Sequence, residues 1–108
     1  MFVAAAFRMK DEAVRRGDQP YGAVVVRDGR IVGDGPSRVV LRNDATAHAE
    51  REAIRDAQAR LGTADLSGCL LYSTSRACPM CERSAAEANI ARMYYGDDSR
   101  DAGPPRRP

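Results

Sequence analysis

The chain has 108 residues, enough for one compact core and too few for two. Hydrophobic residues at 44% and charged residues at 30% exclude a disordered or fibrous chain, and no apolar run approaches the roughly 20 residues that cross a bilayer. A net charge of +2 carries no argument for a polyanionic partner, while three cysteines without an export pattern fit reduced thiols or a metal, so a cytoplasmic protein is expected.

The first segment, "MFVAAAFRMKDEAVRRG", repeats apolar residues at Phe2, Val3, Ala6, Phe7, Met9, Ala13 and Val14, close to a helical stripe, and Gly17 is placed to stop it. Next, "YGAVVVRDGRIVGDG" sets the β-branched runs Ala23–Val26 and Ile31–Val32 on either side of Asp28-Gly29, a pair suited to a type I′ turn, which predicts a hairpin. A turn at Gly35-Pro36 and a polar loop lead to a helix carrying Ala49, Ala53, Ile54, Ala57 and Leu61, with Asp44 or Thr46 as its cap and Gly62 at its end. Cys69–Ser73 reads as a buried strand, "PMCERSAAEANIA" as a helix with Pro79 near its start, and Arg92–Gly96 as a further strand.

The order helix, hairpin, helix, strand, helix, strand implies a mixed sheet flanked by helices. From Asp97 onward Asp, Gly, Pro and Arg dominate with no apolar periodicity, so the domain is expected over 1–96 and a mobile tail over 97–108. No repeat or transmembrane segment competes with this reading.

Chemistry concentrates at three places. Cys78 and Cys81 form a Cys-x-x-Cys pair at a helix start, where the positive end of the helix dipole favours thiolate, the form that binds zinc. A catalytic zinc usually takes three protein ligands and keeps a fourth position for water, and His48 is the only histidine available as the third. Glu50, two positions on, is placed at the first turn of the same helix, where a side chain can reach into a common cleft. Together these residues suit hydrolytic removal of an amino group from a ring amidine, with Glu50 moving the proton.

Each part has a plainer reading. His-x-Glu alone is an ordinary helix pair, and Cys-Pro-x-Cys alone is also a thiol redox pattern, which leaves His48 and Glu50 without a role. A structural zinc site needs a fourth ligand; Cys69 is available, but inside "GCLLYS" it reads as a small core residue. Tyr94-Tyr95 and the arginine-rich end read as structure and solubility.

"HAE" at His48–Glu50 followed by "CPMC" at Cys78–Cys81 resembles the zinc-dependent cytidine deaminase-like superfamily. Across Phe2–Gly96, "QPYGAVVVRDGRIVGDG", "NDATAHAEREAIRDAQARLG", "LYSTSRACPMC" and "ARMYYG" are most similar to bacterial guanine deaminases and tRNA adenosine deaminases. The resemblance implies a three-layer α/β/α fold with a mixed central sheet. It implies one catalytic zinc per chain on His48, Cys78 and Cys81, with Glu50 as proton shuttle, the Ala49 backbone N–H contacting substrate and Tyr21 beside the bound base. Ser37 stands where purine-acting relatives keep an asparagine that bonds the base, and Arg76-Ala77 precedes Cys78 where close relatives read Glu-Pro. The implied substrate is a free purine such as guanine; tRNA adenosine, or cytosine and its nucleosides, are the alternatives. The resemblance further implies a homodimer, and a pocket that is open or completed by a neighbouring subunit, since guanine deaminases continue well beyond the counterpart of Gly96.

Overall fold

The computed structural model describes residues 2–107. In chain order the elements are α1 (Phe2–Arg15), β1 (Gly22–Arg27), β2 (Arg30–Pro36), α2 (Ala49–Leu61), β3 (Leu70–Ser73), α3 (Pro79–Glu87), β4 (Arg92–Tyr95) and β5 (Arg100–Gly103). The strands form one sheet in the order β2-β1-β3-β4-β5, in which only β3 and β4 run parallel. Among the described residues no helix is long and apolar enough to cross a membrane.

The apolar run of β1 is explained by its position inside the sheet. Ala23 and Val25 enter a cluster with Ala49, Ala53, Ile54 and Ala57 of α2, whereas Val24 and Val26 point the other way, into a cluster with Ala5 and Ala6 of α1. A strand covered on both faces needs apolar residues on both, so alternation disappears. Burying each valine contributes about 1.5–3 kcal/mol. The result is three layers, α1 on one side of the mixed sheet and α2 with α3 on the other, as expected.

Sheet and helices are held unusually close along β2. A Cβ at Gly33 would lie 2.5 Å from the Ala53 carbonyl oxygen and 2.7 Å from Ala57 Cβ, and one at Gly35 would strike the Ala49 and Ala53 backbone. These glycines let α2 lie directly on the strand. Gly35→Ala is therefore expected to force the first turn of α2 away from the sheet and to destabilise the fold by about 1–3 kcal/mol, measurable by urea denaturation.

The segment β3, α3, β4 is a parallel crossover unit, with Leu71 opposite Met93 and the Tyr72 ring stacked on Tyr94 at 4.8 Å between centroids. Ser73 at the end of β3 pairs with Ala23 near the start of β1, and Gly22 pairs with Pro36 at the end of β2. One edge of the sheet thus gathers the loop before β1, the loop leading to α2 and the loop leading to α3.

Three local expectations are corrected, and one stretch holds an element that composition did not suggest: Arg100–Gly103 add a strand to β4, fastened by Arg92 to Asp101 at 2.9 Å, because a free sheet edge supplies backbone partners that composition does not reveal. Gly35-Pro36 does not turn the chain but completes β2. Helix α2 starts at Ala49 with His48 as its N-cap residue, while Asp44 instead accepts hydrogen bonds from the Thr46 N–H and hydroxyl in the preceding turn. Val14, placed on the buried stripe of α1, is 53% exposed, since Ala5, Ala6 and Ala13 define the face that packs. The Asp28-Gly29 turn, with φ of 51° and 75°, and the left-handed Gly62 after α2 agree with expectation.

Candidate active site

His48 and Cys78 occupy equivalent positions: each is the N-cap residue of its helix, α2 and α3, and neither side chain caps its own helix. Both turn instead toward one point between the two helix starts. His48 Nδ1 lies 3.7 Å from Cys78 Sγ and 3.5 Å from Cys81 Sγ, and the three ligand atoms all fall within 4.8 Å of one another. Tetrahedral zinc with ordinary Zn–N and Zn–S lengths sets nitrogen and sulfur about 3.6 Å apart. The nitrogen–sulfur spacing therefore suits a zinc ion, and ligation through Nδ1 would leave the ring proton on Nε2.

The electrostatics point the same way. Burial pushes the Cys81 thiol far up from its ordinary pKa, and the neighbouring Glu50 and Cys78 add to the shift. The Cys81 thiol and the Glu50 carboxyl resist ionising without a cation, and a bound dication would reverse that balance. The two helix N-termini add positive potential at the same place. Cys69, fully buried in the core cluster against Leu66 and Leu71, takes no part.

Glu50, in the first turn of α2, is 7% exposed, and burial raises its carboxyl from 4.5 to about 7 against the opposing hydrogen bond of its own backbone N–H. Near neutrality such a group takes up and releases protons with equal ease. It lines a cavity of about 370 Å³ together with Gln19, Tyr21, His48, Ala49, Ser75, Arg76 and Cys78. Tyr21, His48, Ala49, Glu50 and Cys78 meet there, with Ala49 buried in the wall and Tyr21 43% exposed, while Cys81 is fully buried behind the wall beside His48.

Ser37 does not line this cavity. It is 1% exposed, and its hydroxyl donates to Asp18 Oδ1 at 3.0 Å, so the short side chain is spent on a contact within the fold. Asp18 also accepts from the Leu41 N–H at 2.8 Å and the Gln19 N–H at 2.8 Å, joining the loop before β1 to the loop before α2. Ser37 N–H adds a bond to the Tyr21 carbonyl. This latch sets the wall that carries Gln19 and Tyr21. Sequence reasoning passed over Asp18, Gln19 and Ser75, whose only signal was nearness in the chain to Tyr21 and Cys78.

The latch makes a pH-dependent prediction. Burial pushes the Asp18 carboxyl up, but the N–H groups of Leu41, Gln19 and Val40 and the Ser37 hydroxyl outweigh it, leaving the pKa below the usual 3.8. A depressed folded-state pKa gives stability that is complete above the unfolded value and lost as pH falls through the folded one. Asp18→Asn is expected to cost about 1–3 kcal/mol at pH 7, with the gap from wild type narrowing below about pH 4 in denaturation curves.

Comparison with known proteins adds the following. Residues 1–97 match the family described as the cytidine and deoxycytidylate deaminase zinc-binding region. The chain is 39% identical over 102 residues to the guanine deaminase of Bacillus subtilis (strain 168), covering 94% of this chain and 65% of that protein. The crystal structure of guanine deaminase from Bacillus subtilis superposes with a TM-score of 0.84 at 40% identity, over 88% of this chain and 61% of the other. The tRNA-specific adenosine deaminase of Agrobacterium fabrum (strain C58 / ATCC 33970) is 41% identical over 95 residues, 88% of this chain and 62% of that protein. A structure from a study of A-to-I editing by tRNA:A34 deaminases superposes with a TM-score of 0.85 at 41% identity, over 88% of this chain and 69% of the other. The chain thus spans less than two thirds of the length of both curated relatives.

Proposed function

The chain belongs to the cytidine and deoxycytidylate deaminase zinc-binding family, and from that premise we propose that it hydrolyses the exocyclic amine of a nucleobase or related heterocycle, a free purine such as guanine first among them. The observation that carries this reading is a cluster of three zinc-spaced ligand atoms, two of whose residues line one cavity together with a buried carboxyl of pKa about 7.

His48, Cys78 and Cys81 would hold one zinc, which when bound supplies a Lewis acid able to bring the pKa of water to about 7. Glu50 does the proton work. As water oxygen bonds to the amidine carbon, Glu50 accepts a proton from that water; as the bond to the exocyclic nitrogen breaks, it returns a proton and the nitrogen leaves as ammonia. Tyr21 offers an aromatic face at the cavity mouth against which a flat ring can stack. The Ala49 backbone N–H, adjacent to the ligand and the shuttle, is assigned to the substrate's ring oxygen or nitrogen. Gln19 and Ser75 bring neutral polar groups to the wall and suit the outer edge of the heterocycle. Ser37 acts at one remove, through Asp18.

Guanine is favoured by the likeness to the Bacillus enzyme, and a tRNA adenosine by the likeness to the Agrobacterium one. Cytosine and its nucleosides form a third arm of the test. A homodimer, in which a second copy covers the cavity mouth, belongs to the same proposal. An ammonia-release panel of guanine, adenine, cytosine, their nucleosides and a tRNA stem-loop decides among them. Release from guanine is the expected result; release from the stem-loop alone overturns the free-base reading.

A further inference from the structure

Arg76 is the only guanidinium or ammonium group among the residues that line the cavity. It stands two positions before the ligand Cys78, in the loop joining β3 to α3. Its guanidinium carbon lies 5.7 Å from the centroid of the Tyr95 ring, a cation–π contact that holds the group at the cavity rim rather than leaving it to sweep through solvent. Among the described residues no carboxylate comes within ion-pair distance of it. Glu82, the acid whose carboxyl feels its charge, is already engaged by Arg106 through both its backbone N–H at 2.8 Å and its guanidinium at 3.1 Å.

The rest of the wall offers Arg76 nothing to pair with. Gln19, Tyr21 and Ser75 are neutral, and Glu50 is buried on the catalytic side. Arg76 is exposed at the rim, within reach of an occupant of the cavity. An anionic substituent there gains charge-assisted hydrogen bonds from the guanidinium that a neutral ring does not.

Resting on the deaminase reading above, but favouring an anion-bearing heterocycle over the free base placed first there, we propose that Arg76 selects substrates whose heterocycle carries an anionic group, a phosphate or a carboxylate, on the side remote from the amidine. Arg76 is then a specificity-determining residue: the amine to be removed faces Glu50, and the anion faces the rim. The two ends of the cavity sort the two ends of the substrate.

The test compares kcat/KM for ammonia release from each base and nucleoside of the panel, from the matching 5′-monophosphates, and from carboxylated aminopyrimidines, using zinc-loaded wild type, Arg76→Gln and Arg76→Lys. The expected result is a preference of about tenfold to a hundredfold for the anionic member of a pair, collapsing in Arg76→Gln and largely restored in Arg76→Lys. Monophosphates and carboxylates are separate arms, so the preferred anion is identified in the same experiment. Equal losses on neutral and anionic substrates in Arg76→Gln, or a wild-type preference for neutral ones, overturn the proposal. Calorimetric binding of the monophosphates separates it from the deaminase reading. If no compound releases ammonia, yet monophosphates bind more tightly than nucleosides and Arg76→Gln erases the difference, the hydrolysis reading falls and the anion site stands. Equal affinity in wild type and Arg76→Gln removes the anion site whatever the activity.

Discussion

Glu50→Gln is expected to keep zinc bound and to lower ammonia release by about a hundredfold to ten-thousandfold, the range that a positioned proton shuttle supplies. The amide has the shape of the carboxyl and fills the same buried site, but it neither accepts the proton of water nor delivers one to the departing nitrogen. Because the carboxyl is 7% exposed and raised to about 7 by burial, the amide is also expected to leave folding intact. The pair of measurements, zinc content and turnover, isolates the proton step from the metal. A variant that keeps zinc and keeps wild-type turnover removes Glu50 from the mechanism.

Cys81→Ala produces the second large effect, loss of the metal. Cys81 lies in the first turn of α3, is fully buried, and supplies one of the three ligand atoms that meet at the site among the described residues. Two protein ligands do not hold zinc against water, so the bound metal is expected to fall from one per chain to nearly none, and activity with it. Cys69→Ala serves as the control: equally buried but committed to the core, it is expected to lose some stability and no zinc. Equal zinc in wild type and Cys81→Ala, with a change only in thiol–disulfide behaviour, would favour the redox reading of the Cys-x-x-Cys pair instead.

The grouping of His48, Cys78 and Cys81 was legible in the sequence because its constraints are local. Cys78 and Cys81 are fixed by the start of one helix, His48 by the start of another, and the crossover from β3 to β4 brings both starts to one sheet edge. The apolar run of β1 likewise announced a strand, though its cover on both faces emerges only from the packing of α1 and α2. What the sequence did not reveal depends on partners distant in the chain. Strand β5 has no apolar pattern and exists because β4 offers it an edge and Arg92 offers Asp101 a charge. Asp18 looks like a loop residue until Ser37 and the Leu41 N–H converge on it. Ser37 itself, aligned by likeness with a substrate contact, is turned away from the cavity by that same aspartate. The polar wall of Gln19 and Ser75 follows from the register that sets Ala23 opposite Ser73, which local propensity does not encode.

The central claim is that the His48, Cys78, Cys81 and Glu50 cluster is a hydrolytic zinc site. It is tested most directly by measuring ammonia release on the full substrate panel with protein stripped of metal by a chelator and then reloaded with one zinc per chain. Release that vanishes on stripping and returns in proportion to zinc bound is the predicted result. Release that persists at full rate in the stripped protein, or no release from any substrate when one zinc per chain is bound, would contradict it.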